Sequence, residues 1–192
     1  MKTELHPLGF FLPGNTRLLM LGSFPPPKAR WSMDFYYPNF QNDMWRILGL
    51  IFYGNKDYFV IKDKKAFSEE KAKAFCFDKG IGLGDTAVEV IRLKANASDK
   101  FLEVVRPIDL ERVLSQIPEC AAIVVTGQKA MDTILSVLSD TEEPKVGSFS
   151  EFTFQGKKMR LFRMPSSSRA YPKPLEEKAA IYREMFTSVG IL

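Results

Sequence analysis

The chain has almost none of the residues that hold metals or build nucleophilic triads. Its 192 residues include two cysteines, Cys76 and Cys120, and one histidine, His6. Two cysteines exclude a four-cysteine zinc or iron–sulfur site within one chain. They also make a disulfide scaffold a poor fit, so buried free thiols are expected. A Ser-His-Asp or Cys-His system would have only His6 to draw on, near one terminus. No apolar run approaches the roughly 20 residues that span a bilayer. No N-terminal stretch combines a basic start, an apolar run and a cleavage site, so a cytoplasmic address is expected. The net charge of +4 permits an anionic partner without requiring one.

What is present is ordinary globular material, 45% apolar and 26% charged. The length predicts one domain over residues 1–192 with a core large enough to need no covalent staple. Arg17 to Gly22 reads as a buried strand. After it, Pro25–Pro27 rule out continued strand or helix. The segment to Asn42 reads as a long loop rich in aromatics (Trp31, Phe35, Tyr36, Tyr37, Phe40), and a loop of that length in a compact domain is usually functional. Asn42 or Asp43 can cap an apolar helix over Met44–Phe52. A second helix starts at Ser68 and stops near Gly80. Ile81–Gly84 reads as a short strand, Asp85–Arg92 as a short helix and Asp109–Gln116 as an amphipathic helix.

Ala121–Thr126 is a continuous apolar run, the mark of a parallel strand covered on both faces. Gly127-Gln-Lys129 turns it into a helix over Ala130–Leu138. Glu151–Phe154 and Met159–Met164 read as a β-hairpin, Pro165–Pro174 as a rigid polar loop and Leu175–Val189 as a closing helix. Alternating strands and helices predict an α/β fold, a three-layer α/β/α sandwich around a central, mostly parallel, four-stranded sheet. Ligands of such sheets bind at the carboxyl ends of the strands. Loops 22–42, 126–129 and 164–174 should therefore converge on one rim.

Each constellation on that rim has a plain reading beside a functional one. The aromatics of 22–42 suit a nucleobase, or simply cover the sheet end. Residues 157–173 hold six basic side chains (Lys157, Lys158, Arg160, Arg163, Arg169, Lys173), no acidic one, and Ser166–Ser168 among them. That mixture suits phosphate contacts, or a solvated basic hairpin. The turn before Lys129 could hold a phosphate on free N–H groups, as could many α/β turns. Asp34, Asp43 and Asp85 are the nearby carboxylates, and each reads first as a cap or hydrogen-bond acceptor.

These residues resemble the uracil-DNA glycosylase superfamily, nearest its hypoxanthine-DNA glycosylase branch and the relatives close to the mismatch-specific uracil glycosylases. The resemblance rests on Leu19-Met-Leu-Gly-Ser-Phe-Pro25 followed by Tyr36-Tyr37, Asn42 and Trp45, on Gly80-Ile-Gly-Leu-x-Asp85, on Thr126-Gly-Gln-Lys-Ala130, and on Met164-Pro-Ser-Ser-Ser168 with a helix carrying paired acids and Lys178. It covers about residues 17–186 with the motifs in order. Asn39-Phe40 stand where the branch usually has His-Pro, Gly84 where an aromatic usually precedes the Asp, and Thr126-Gly127 where it usually has Asn-Gly. The motif Asp and His of the best-known uracil enzymes are absent, with Ser23 and Met164 in the matching regions.

The resemblance implies a monofunctional DNA glycosylase that flips a deaminated base, uracil or hypoxanthine, out of double- or single-stranded DNA and hydrolyses its N-glycosidic bond, with no cofactor or metal expected and a monomer as the default. It implies Asn42 and Ser23 as catalytic residues. Gly22, Phe24, Tyr36, Tyr37 and Thr126 would contact the base. Lys129, Ser166, Ser167, Ser168, Arg169 and Tyr171 would contact DNA. With His6 far from Met164 in sequence, the chemistry is expected to rest on neutral groups, chiefly Asn42. The alternatives are an inactive DNA-binding relative and a nucleoside or nucleotide hydrolase.

Overall fold

In the computed structural model, which describes residues 2–94 and 98–192, the apolar runs become a sheet buried on both faces. In chain order the elements are β1 (Thr3–Leu5), β2 (Leu18–Gly22), α1 (Met44–Tyr53), the small hairpin β3 (Val60–Ile61) and β4 (Ala66–Phe67), α2 (Glu69–Lys79), β5 (Ile81–Asp85), β6 (Ala87–Arg92), β7 (Leu102–Pro107), α3 (Leu110–Ser115), β8 (Ala122–Thr126), α4 (Gln128–Val137), β9 (Ser148–Phe154), β10 (Lys157–Met164) and α5 (Leu175–Ser188). The central sheet has the order β5-β2-β8-β10-β9. Its first four strands are parallel, and β9 pairs antiparallel with β10.

The two-residue period of a strand sorts the core into two layers. Leu18 and Met20 of β2, Val124 of β8 and Phe162 of β10 pack on one face against α1, α2 and α5, through Trp45, Phe75 and Tyr182. Leu19 and Leu21, Val125 and Leu161 face the other way onto α3 and α4, through Val113, Met131 and Ile134. All four leucine and methionine side chains of β2 are fully buried, and each such burial is worth about 1.5–3 kcal/mol. Ser68 Oγ accepts the Lys71 N–H at the start of α2, and Gly80 ends that helix at a φ of 64°. Cys76 and Cys120 are buried free thiols.

Two expectations are corrected. The sheet has five strands rather than four, because both arms of the hairpin join it, β10 as the fourth parallel strand and β9 antiparallel at its edge. Ser148 pairs with Arg163 and Phe154 with Lys157 across a Gln155-Gly156 turn whose residues both have positive φ, the geometry that matches strand twist. The segment after Asp85 is a strand rather than a short helix. Ala87, Val88, Glu89 and Val90, with an irregular register near Glu89, build β6 at the centre of a separate antiparallel sheet of order β1-β6-β7. β-Branched residues favour that pleated surface, and six residues are too few for periodicity to separate it from a helix.

Candidate active site

The four parallel strands end together, in register, at Gly22, Asp85, Thr126 and Met164. The three expected rim loops converge above them around a cavity of about 660 Å³. The turn at residues 98–100 and Leu8 from the N-terminal segment also reach this cavity.

Its floor carries Asp85. Asp85 Oδ2 lies 2.7 Å from His6 Nε2, with both side chains nearly buried. The other His6 nitrogen, Nδ1, is 2.8 Å from the Leu8 carbonyl oxygen and 3.1 Å from the Leu8 nitrogen, whose N–H donates to it. A Cβ on Gly22 would stand 2.4 Å from Asp85 Oδ1, so a side chain at position 22 would displace the carboxylate. Burial pushes the Asp85 carboxyl above the usual carboxylate range, while the His6 hydrogen bond and charge oppose the rise. Neutral groups are therefore not alone at this site. His6 is 79 residues from Asp85 in sequence, yet the pairing of β1 with β6 brings it beneath the cavity.

A second carboxylate lines the cavity. Asp99, on a 3₁₀ turn between β6 and β7, accepts a hydrogen bond from Ser23 Oγ at 2.7 Å. Burial and the neighbouring Asp85 raise its pKa, whereas the Ser23 bond, Lys129 and Arg92 favour the charged form. Sequence reasoning did not single out Asp99. Its neighbours form no motif, and its partner lies 76 positions away.

Aromatic side chains make one wall. Phe24 is nearly buried, in edge contact with His6. Tyr36 stacks near His6, and its hydroxyl donates to the Gly9 carbonyl at 3.1 Å. Trp45 Nε1 donates to the Tyr36 carbonyl at 3.0 Å and so anchors the loop from the core. Tyr37 adopts a left-handed φ of 53°, uncommon for an aromatic residue and costing on the order of 1–2 kcal/mol. Its hydroxyl is buried without a hydrogen-bond partner among the described residues, on the side of Thr126. Burial raises both phenols well above their ordinary value, so they remain protonated donors.

The opposite wall is the serine loop, held from behind by charges. Ser166 Oγ accepts the Ser168 N–H and Ser168 Oγ accepts the Ala170 N–H, each at 3.2 Å, while Ser167 is buried. The Asp43 N–H donates to the Ser167 carbonyl at 2.9 Å, and the buried Lys178 Nζ donates to the Ser168 carbonyl at 2.8 Å. Arg169 Nε lies 2.9 Å from Asp43 Oδ1, and Arg46 approaches the same oxygen at 3.6 Å. Asp43 thus ties α1 to the serine loop rather than capping the helix with its side chain. Asn42 does that work, because its Oδ1 accepts the Met44 N–H at 2.9 Å.

Not every candidate reaches the cavity. Asp34 is exposed and paired with Lys28. Lys129 lies in the first turn of α4, close enough to act on the Asp99 charge but not on the cavity wall. The basic run 157–173 does not form one patch, because β10 carries its residues from one end of the sheet to the other. Lys157 Nζ donates to the Pro118 and Cys120 carbonyls, Arg160 to that of Ser188, and Arg163 pairs with Glu143. Arg169 and Tyr171 do line the cavity. Among the described residues, no three His, Cys, Asp or Glu side chains gather as a metal site, and no helix is long and apolar enough to cross a membrane.

No family model matches the chain, and no curated protein is significantly similar to it. Its fold does match a solution NMR structure from Methanosarcina acetivorans, of a protein described provisionally as a uracil DNA glycosylase. The TM-score is 0.61 at 22% identity, over 93% of this chain and 96% of that one. The two chains share one α/β fold with a central, mostly parallel sheet flanked by helices.

Proposed function

We propose that the protein is a DNA glycosylase that hydrolyses the N-glycosidic bond of a deaminated base, uracil or hypoxanthine. The observation that carries this reading is the cavity at the carboxyl ends of the parallel strands. It joins an aromatic wall, a carboxylate floor and a serine loop, on a fold shared with the Methanosarcina protein. A volume of about 660 Å³ accommodates one extruded nucleotide but not a duplex, so the base must leave the stack to enter.

In this reading the base lies on Phe24, Tyr36 and Tyr37. Gly22, Ser23, Thr126 and Asp85 present polar groups to its edge. The Asn42 oxygen is committed to the Met44 N–H, so its NH₂ group is what it offers, to a water or to charge developing on the departing base. Ser166, Ser168 and the N–H groups of their loop receive the flanking phosphates. Arg169 and Tyr171 stand at the mouth, where a side chain can occupy the space the base has left.

Incubation with duplexes carrying uracil, hypoxanthine, xanthine or a mismatched base, followed by cleavage at abasic sites, tests the proposal and identifies the base. Product on a lesion duplex supports it. Binding without product indicates a non-catalytic DNA binder. Release of base from free nucleosides only indicates a nucleoside hydrolase.

A further inference from the structure

Hydrolysis at a sugar carbon needs an acceptor for a proton of the attacking water, and the cavity offers few. Serine and threonine hydroxyls are too weakly basic, and the phenols of Tyr36 and Tyr37 are held protonated. Asn42 is a neutral amide whose oxygen already accepts the Met44 N–H. Two carboxylates line the cavity, Asp85 and Asp99. Asp85 lies on the floor beneath Gly22, closed on one side by His6. Asp99 instead enters from outside the central sheet, on the turn before β7, and Ser23 at the start of the first rim loop holds its Oδ2.

We propose that Asp99 is the general base of the reaction, with Ser23 as its positioning residue. The assignment rests on the glycosylase reading. With the base on the floor beside Asp85, the sugar is left at the level of Ser23 and Asp99. The oxygen of a water held by Asp99 bonds to the sugar C1′ as the bond from C1′ to the base nitrogen breaks, and the electron pair leaves with the base. One water proton passes to the Asp99 carboxylate and from there to solvent, and the departed base takes up a proton from solvent. One water is consumed, giving free base and an abasic sugar.

The surroundings suit the task. Burial and Asp85 make the Asp99 carboxylate more basic than a solvated one, which strengthens it as a proton acceptor. Lys129, Arg92 and the Ser23 hydroxyl favour its charged form and so oppose that rise. Lys100, the next residue in the chain, also lines the cavity, as do Arg30 and Arg169.

Single-turnover excision by Asp99→Asn, on whichever lesion duplex the native protein processes, tests the assignment. The substitution keeps the shape and a hydrogen bond to Ser23 but cannot accept a proton. The rate should fall about 10²–10⁴-fold with duplex affinity retained, and the loss of rate on acidification should disappear. Asp99→Glu keeps a proton acceptor and should keep that acid limb, displaced in pH. An Asn variant with native rate and acid limb, or a Glu variant without the limb, overturns the role of Asp99 and leaves the glycosylase reading standing. A native protein that excises no base from any lesion overturns that reading and this assignment with it.

Discussion

Buried charges stand on both sides of the cavity, but they are used differently. Behind the serine loop, Asp43 meets Arg169 and Arg46, and Lys178 is spent on a backbone carbonyl. There the charges stitch α1 and α5 to a loop whose Ser166, Ser167 and Ser168 line the cavity. At the opposite corner, Asp85 and Asp99 line the cavity themselves, Asp85 held through His6 and the Gly22 backbone and Asp99 through the Ser23 hydroxyl. Their carboxyls are pushed up by burial. An ion-paired carboxylate is a fastener, whereas one left basic and open to a cavity is positioned for proton chemistry.

Removing the fastener should have the largest effect on stability. Asp43→Ala leaves Arg46 buried without its carboxylate and should cost about 3–5 kcal/mol in denaturant unfolding. A loss below 1 kcal/mol would show that the pair does not hold the loop. Gly22→Ala drives a methyl into Asp85 Oδ1 and should cost about 1–3 kcal/mol, with excision on the processed lesion falling at least tenfold. Native activity in that variant would place the chemistry away from Asp85.

His6→Ala sharpens the comparison through pH. The folded Asp85 carboxyl is raised above its unfolded value, so its contribution to stability is present at low pH and is lost as pH rises. His6 limits that loss by favouring the ionised form. The deficit of the alanine variant should therefore grow as pH rises above the ordinary carboxylate range, to about 2 kcal/mol in urea unfolding. A deficit independent of pH would mean that His6 acts by packing alone. The smallest effect is expected of Arg169→Ala, whose side chain is half exposed. Duplex binding should weaken and the salt dependence should drop by about one phosphate contact; an unchanged slope removes Arg169 from the DNA surface.

The central sheet was legible because burial on two faces writes continuous apolar runs, as in Leu18–Leu21 and Ala122–Val125. The convergence of the rim loops followed from the rule for open parallel sheets. The serine loop was legible as composition, but its basic neighbours were overcounted, since a run of positive residues along β10 spreads over the length of the strand. The second sheet was not legible at all. Thr3–Leu5 is short and pairs with β6 across about eighty residues, an interval that no local pattern records, and Leu102–Pro107 completes the sheet on the other side of β6.

Local sequence alone determined the strands that end the cavity floor, the glycine at position 22 and the position of the aromatic and serine loops, because periodicity, turn chemistry and burial act over a few residues. Tertiary structure alone decided which charges are fasteners and which face the cavity. His6 with Asp85, Ser23 with Asp99, and Arg169 with Asp43 are separated by 79, 76 and 126 positions. A side chain's chemistry depends on the partner and the burial it receives, and both arrive only when distant segments pack. The lone histidine, remote in the chain, is for that reason a neighbour of the cavity.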